Sequence, residues 1–322
     1  MTQKNNLYFY ISYIGNTMKK LRVGILGTGN IGTDLLIKII RSPYLECVCF
    51  AGRNLSSKGM IKAKELGINT SDQGINAFSK KELECELVFD ATSAQDHYRH
   101  ARVFSMLGIR AIDMTPAHVG EFCIPSINGD TAIFEPNINM ITCGGQASIP
   151  AIYALSQVIP DISRVEINSR AAEDSIGPAT IANIDKYYSS TASAVTQFCG
   201  IENVSVDLYV DPSEPKPDML TKIKLHTPTQ LNPKIIKSLS TIVNKVKQYV
   251  PGYALVGQVE HVEGGIELSI KVTGLGDWVP KHAGNLDIIN CAAIAIAEKY
   301  AQHARKNTLE EELQELEVGL YS

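Results

Sequence analysis

The chain is poor in the features that would place it outside the ordinary globular enzymes. Its seven cysteines form no CxxC pair and none falls with histidine at zinc-ligand spacing. An odd count without a framework excludes a disulfide-stapled scaffold and a structural metal, and points to a reducing, cytoplasmic setting. Basic runs are absent beyond the pairs Lys19-Lys20 and Lys80-Lys81, and 30 Lys and Arg stand against 34 Asp and Glu for a net charge of -4. That balance excludes a nucleic-acid face and leaves small molecules or other proteins as partners. No apolar run is long enough to cross a bilayer. The stretch from Leu7 to Ile14 is broken by Ser12 and lacks a small-residue cleavage site, so it reads neither as a membrane anchor nor as a secretory signal. Residues 1–20 are set apart as an N-terminal extension, with Met18 just before the first convincing strand. Internal repeats and low-complexity segments are also lacking.

What is present is length and apolar content, 322 residues at 44% hydrophobic, enough for two cores. LRVGIL from Leu21 is followed by Gly27-Thr28-Gly29-Asn30-Ile31-Gly32 and by an amphipathic run ending near Pro43. Strand, glycine turn and helix in that order form the dinucleotide fingerprint; some other glycine-punctuated βαβ unit is the competing reading. Further strands at Cys47–Gly52, Leu87–Ala91 and Arg110–Met114 alternate with helical stretches, which predicts a Rossmann-type, doubly wound parallel sheet over 21–142.

Beyond residue 143 the pattern changes to half-buried alternation, as in RVEINSR, VSVDLYV, LTKIKLH, ALVGQVEHV and IELSIKVT. This predicts an antiparallel or mixed sheet over 143–283, an α+β catalytic and dimerisation domain covered by helices at about 180–198 and 233–249. Asn232 and Pro233 supply the cap and first turn of the second. Residues 284–322 read as two C-terminal helices packing on the dinucleotide-binding domain, one over 285–302 and one opened by a capping box of Thr308 and Glu311, with Leu309, Leu313, Leu316 and Leu320 on one side.

Cys143 stands between these halves, in Thr142-Cys143-Gly144-Gly145-Gln146, after an apolar run and before helical spacing. Unpaired N–H groups at a helix start favour a thiolate and could hold an oxyanion, which makes Cys143 a candidate nucleophile. A small buried cysteine at a strand end fits the same position. Gly144 and Gly145 read either as room above the sulfur for substrate and nicotinamide or as turn residues.

Six segments taken together resemble one family. They are GTGNIGTDLLIKI (Gly27 to Ile39), FDATSA (Phe89 to Ala94), NMITCGGQASIP (Asn139 to Pro150), SIGPATIANID (Ser175 to Asp185), VPGY (Val250 to Tyr253) and AGNLDI (Ala283 to Ile288). From about Leu21 to Gln302 the chain resembles the acylating acetaldehyde dehydrogenases, which oxidise a short aldehyde to acyl-CoA with NAD and coenzyme A. Those enzymes partner a 4-hydroxy-2-oxovalerate aldolase in the degradation of aromatic compounds. The resemblance implies a homodimer or a heterotetramer with the aldolase. It also implies Cys143 as the acyl-thioester nucleophile and Thr28, Gly29, Asn30 and Ile31 at the cofactor pyrophosphate. Asp174, Ser175, Ile176, Gly177, Pro178, Ala179, Thr180, Ile181 and Ala182 would line the nicotinamide side, and Asn285 would reach the cofactor.

Three positions depart from that pattern. At the end of the second strand the family commonly has an aspartate for the ribose, whereas this chain has Gly52-Arg53-Asn54; arginine attracts a 2′-phosphate, which opens the site to NADP as well as NAD. The family's acid beside the thiol aligns with Thr221, leaving Asp218, His282 or the helix N-terminus alone as the helper. Ala179 and Ile181 replace a glycine and an arginine and would make the pocket wall less polar. Two rivals stay open: a phosphate-dependent semialdehyde dehydrogenase of the same architecture, for which Arg164 and Arg170 are the only arginines between Cys143 and Gly284, and a non-catalytic nucleotide-sensing Rossmann protein.

Overall fold

In the computed structural model the chain is described over residues 19–321, without the side chains of 178–179 and 311–321, and residues 1–18 of the N-terminal extension lie outside the described residues. The first half contains β1 (Leu21–Leu26), α1 (Asn30–Arg41), β2 (Leu45–Ala51), α2 (Lys58–Glu65), β3 (Thr70–Ser71), β4 (Leu87–Asp90), α3 (Ala94–Leu107), β5 (Arg110–Asp113), β6 (Glu121–Phe122), α4 (Pro125–Ala132) and β7 (Asn137–Asn139). All strand pairs are parallel, in the order β3-β2-β1-β4-β5-β7-β6. Strands buried on both faces need near-continuous apolar sequence, and LRVGIL and LVFD supply it. The order reverses between β1 and β4, so a crevice opens at the carboxyl ends of these two strands.

The second half comprises α5 (Cys143–Ser156), β8 (Arg164–Ala172), α6 (Pro178–Ala182), α7 (Ile184–Cys199), β9 (Val204–Asp211), β10 (Met219–His226), α8 (Pro233–Lys247), β11 (Tyr253–Val262), β12 (Gly265–Val272) and α9 (Gly284–Tyr321). The sheet order is β11-β12-β10-β8-β9, antiparallel except for the parallel β8–β9 pair. Alternation does what the sequence suggested. In β10, Met219, Thr221, Ile223 and Leu225 turn inward against α5 and α8, while the residues between them face out. The Asn232 side chain accepts the N–H groups of Lys234 and Ile235, and Pro233 starts α8.

Two expected helices differ. The run over 180–198 is broken at Asn183, whose backbone (φ -125°, ψ 30°) leaves the helical region, so that α7 starts afresh there. The capping box at Thr308 is not a helix start, because α9 runs unbroken from Gly284 and the Thr308 hydroxyl donates to the Ala304 carbonyl one turn back. With neither glycine nor proline between Gln302 and Thr308, nothing stops the helix, and the S/T-x-x-E pattern alone carries no signal mid-helix. Thr308 to Glu310 extend that helix, and the side chains of Glu311, Leu313, Leu316 and Leu320 lie outside the described residues.

The first part of α9 returns to the parallel-sheet half. Ile289, Ala292, Ala293, Ile296, Ala297 and Ala301 join the core of α1 and β1. What locks it there is polar. The Lys38 ammonium lies 2.7 Å from Asp34, 2.8 Å from Asp287 on α9 and 3.0 Å from Asp277 in the preceding loop, and Arg41 also pairs with Asp277. Burial alone would lower the Lys38 pKa, but the Asp34 carboxylate, Cys291 and Asp287 outweigh it and hold it above the ordinary value. Asn290 adds bonds to Asp34 and to the Ile31 carbonyl. Lys38→Met would leave the buried Asp34 and Asp287 carboxylates uncompensated at a cost of about 3–5 kcal/mol. Thermal unfolding at neutral pH should show a lowered melting temperature; an unchanged melting temperature would contradict this role.

Candidate active site

Cys143 is the first residue of α5, and the chain reaches it through an unusual turn. Ile141 holds φ +65°, a left-handed conformation that a β-branched residue adopts only under constraint, at about 1–3 kcal/mol. The constraint is Asn139, whose Oδ1 accepts the Ile141 N–H at 2.8 Å while its Nδ2 donates to Asp113 Oδ2 (2.7 Å) and to the Thr115 carbonyl (2.9 Å). Thr142 then caps the helix, its hydroxyl accepting from the Gly145 N–H at 2.9 Å and lying 2.7 Å from the Thr191 hydroxyl on α7. Thr191 in turn donates to the Tyr187 carbonyl. Two helices are thereby registered on the cysteine.

A small cavity of about 80 Å³ opens over the sulfur, lined among others by Ile141, Ile176, Leu286, Thr115, Asn285 and Tyr187. None of the described residues lining it is charged. The Tyr187 hydroxyl is 3.8 Å from Cys143 Sγ. The glycine after the cysteine makes that approach possible, since a Cβ on Gly144 would fall 2.1 Å from the Tyr187 oxygen. The space over Gly144 is thus taken by Tyr187, and that over Gly145 by Ile141, where the sequence suggested room for substrate. Burial pushes the Cys143 thiol above its ordinary pKa, outweighing the hydrogen bond with Tyr187 and the backbone N–H groups of Gly144 and Cys143. The helix start therefore does not by itself yield the thiolate expected from sequence. Tyr187, fully buried, is held well above its usual range and keeps its proton.

Beside this cavity, and sharing Ala91, Thr92 and Ser93 with it, lies a crevice of about 730 Å³ lined by Gly27, Thr28, Gly29, Arg53, Asp72, Arg99 and His100. Gly27 at φ +112° makes the tight turn out of β1, and a Cβ there would strike the Ala91 carbonyl at 2.4 Å. Over Gly29 the space is open, at the N-terminus of α1 where unpaired N–H groups suit an anion. Under both cavities runs a buried network. Asp90 lies 2.8 Å from both His97 Nδ1 and His100 Nδ1, and His97 Nε2 lies 3.4 Å from Asp113. Burial would raise the Asp90 pKa, but the bonds from His100 and His97 hold it down to about 2, whereas burial pushes Asp113 up to about 6. Burial would lower the His97 pKa, but its bond to Asp90 and the Asp113 charge raise it.

The expected residues divide. Cys143, Ile31, Ile176, Thr180 and Asn285 meet in the small cavity, and Thr28, Gly29 and Arg53 in the crevice. The Asn30 side chain instead accepts from the indole of Trp278 at 3.3 Å. Ser175 bonds the Ala172 carbonyl and receives Asn285 Nδ2 on its own carbonyl, so it positions Asn285 and does not line the cavity. Gly177 lies at the edge of open space, and Ala182 is exposed. Ile181 is 60% exposed and is not among the residues lining the cavity whose wall it was expected to form; the side chains of Pro178 and Ala179 lie outside the described residues. Neither candidate helper reaches the thiol: Asp218 bonds the Thr273 hydroxyl at 2.8 Å and pairs with Lys271, and His282 lies 3.0 Å from Asp174, which is thereby engaged at the surface. Arg170 pairs with Asp211 and Arg164 with Glu166, both away from the cavity. Sequence reasoning missed Tyr187 and Thr115. The signal for Tyr187 was Gly144, read as space for a ligand when it is space for a side chain.

Residues 143–280 match the family described as prokaryotic acetaldehyde dehydrogenase, dimerisation. The chain is 47% identical over 290 residues to the acetaldehyde dehydrogenase of Spirochaeta aurantia, covering 89% of this chain and 97% of that one. It is 48% identical over 285 residues to that of Pectobacterium atrosepticum, covering 88% and 96%. Aspartate semialdehyde dehydrogenase II of Vibrio cholerae, whose crystal structure contains ASA, aligns with a TM-score of 0.60 at 14% identity over 87% of this chain and 98% of that one, a likeness of fold alone.

Asn139→Ala would free the strained Ile141 turn and strand the buried Asp113 and Thr115 groups, lowering stability by about 2–3 kcal/mol; denaturant titration at pH 7 measures this, and a loss below 1 kcal/mol would contradict it. Since the fold raises the His97 pKa, the stability its pairing lends is complete below the ordinary histidine value of about 6.5 and is lost as pH rises through the folded value. The stability gap between the wild type and His97→Gln should narrow as pH rises from about 6 towards 9, and a pH-independent gap would contradict the pairing.

Proposed function

The chain belongs to the prokaryotic acetaldehyde dehydrogenase family, and we propose that it is an acylating enzyme converting acetaldehyde or another short aldehyde, coenzyme A and NAD(P)+ to acyl-CoA and NAD(P)H. One observation carries the reading: a cysteine at a helix N-terminus, in a small uncharged cavity continuous with a dinucleotide crevice. The Asn285 Oδ1 and Thr115 Oγ1 atoms, buried and without a hydrogen-bond partner among the described residues, line that cavity. They suit a nicotinamide carboxamide, and the open N-terminus of α1 suits the pyrophosphate. Bound there, the dinucleotide would supply the acceptor for the hydride of the aldehyde carbon.

The residues would act as follows. The Cys143 thiolate attacks the carbonyl carbon, forming a C–S bond and placing a pair of electrons on oxygen, where the N–H groups at the start of α5 donate to it. Loss of hydride to that acceptor would re-form the carbonyl as a thioester on Cys143. Attack by the coenzyme A thiolate then expels the Cys143 thiolate and yields acyl-CoA. Exchange of one thioester for another is nearly balanced, so the reaction should run both ways. Ile141, Ile176 and Leu286 exclude the water that would hydrolyse the intermediate. With no arginine or lysine among the described residues lining the cavity, an acyl phosphate or a carboxylated semialdehyde would meet no counter-charge there. Arg53, at the crevice edge with Arg99 nearby, favours acceptance of NADP alongside NAD.

A dimer through residues 143–280 accords with the family's description. A cytoplasmic setting, an aldolase partner and a place in aromatic-compound degradation rest on the sequence reading and the resemblance.

Cofactor reduction with acetaldehyde beyond one equivalent per site should require coenzyme A and not be supported by phosphate, and Cys143→Ala should lose at least about 10³-fold in kcat. Phosphate-supported turnover would contradict the assignment. Arg53→Asp should lower kcat/KM for NADP relative to NAD by about tenfold or more, and quenching of the single Trp278, bonded to the Asn30 side chain, reports binding of either cofactor. An unchanged cofactor preference would remove Arg53 from that role.

A further inference from the structure

A half-buried thiol that must ionise in apolar surroundings needs a hydrogen-bond donor or a base, and the Cys143 cavity has no charged side chain among its described lining residues. It does have a line of hydroxyls. Tyr187 approaches Sγ at 3.8 Å, and its hydroxyl shares the space over Gly144 with Ser169 Oγ, the two lying 2.1 Å and 3.2 Å from where a Cβ on that glycine would fall. Ser169 Oγ lies 3.0 Å from Thr221 Oγ1. The last contact is built into the sheet, because Ser169 on β8 and Thr221 on β10 are directly opposed in the antiparallel register. All three are buried, at 3%, 2% and 0% exposure, so the line is shielded from competing water. The near end is fixed by the Thr142–Thr191 pair and by Gly144, which alone among residues leaves space for the Tyr187 oxygen.

We propose that Tyr187, polarised by Ser169 and Thr221, activates Cys143 by donating a hydrogen bond to its thiolate, so that a chain of neutral hydroxyls serves where a charged partner is missing. In the thiol state S–H donates to the Tyr187 oxygen, Tyr187 to Ser169, and Ser169 to Thr221. On ionisation the S–H bond breaks, its electron pair stays on sulfur and the proton passes to solvent water. Each hydroxyl then reverses, Thr221 donating to Ser169, Ser169 to Tyr187 and Tyr187 to Sγ. Tyr187 keeps its own proton throughout and is a donor, not a base. Tyr187 touches the reacting sulfur and is a catalytic residue; Ser169 and Thr221 act through it as positioning residues.

The inference rests on Cys143 being the nucleophile, and its test reads the thiol directly. The rate of Cys143 alkylation by iodoacetamide, followed by peptide mass spectrometry on the full-length protein, is measured against pH for the wild type, Tyr187→Phe, Ser169→Ala and Thr221→Val. Tyr187→Phe should move the midpoint up by about one pH unit, making alkylation about tenfold slower below it. Ser169→Ala and Thr221→Val should move it in the same direction by less. A Tyr187→Phe profile that coincides with the wild type or shifts to lower pH overturns the proposal. Should Tyr187→Phe not fold, Ser169→Ala decides by the same criterion. A Cys143→Ala variant that still oxidises aldehyde removes the proposed function itself, whereas an inactive Cys143→Ala with coincident alkylation profiles removes only the hydroxyl chain.

Discussion

The site depends on one held turn. Asn139 keeps the Ile141 backbone in a left-handed conformation, and this redirects the chain from the last strand of the parallel sheet into α5 within three residues. Without it Cys143 would not be the first helical residue, Thr142 could not cap, and the sulfur would not face the cavity between the two sheets. The strain is carried by a buried polar network that also contains Asp113, His97 and Asp90, so the dinucleotide half and the cysteine turn share one support. A second clamp, Lys38 among three aspartates, brings α9 and hence Asn285 to the other side of the same cavity.

The cavity sets two requirements against each other. The proposed acyl-thioester intermediate would survive where water is scarce, and Ile141, Ile176 and Leu286 line the cavity with apolar surface. The same apolar surroundings would penalise the thiolate that this chemistry requires, since burial outweighs the donors around Cys143. Neutral donors ease the conflict better than a buried carboxylate would. They stabilise the thiolate once formed, but place no second negative charge next to it or to the developing alkoxide.

Much of this was legible in the sequence, for identifiable reasons. The glycines at 27, 29 and 32 and the apolar strands around them are local features, and local features survive translation into structure. Cys143 was legible because its flanking apolar run and helical spacing fixed its place at a helix start. Tyr187 was not, because its contact with the sulfur joins residues 44 apart across two helices and depends on a missing Cβ at Gly144. Asp218 and His282 looked available only because their partners, Thr273, Lys271 and Asp174, come together in three dimensions. Lys38 lies unmarked in the amphipathic run after the glycine turn, and Thr308 reads as a cap, since neither a buried charge cluster nor helix continuity leaves a short-range mark.

The central claim is that Cys143 carries the acyl group. Incubating the protein with acetaldehyde and oxidised dinucleotide, without coenzyme A, and mapping adducts by peptide mass spectrometry tests it most directly. The account predicts an acetyl thioester on Cys143 alone that coenzyme A discharges. Turnover with no adduct at Cys143, or with the acyl group on a different cysteine, would contradict it.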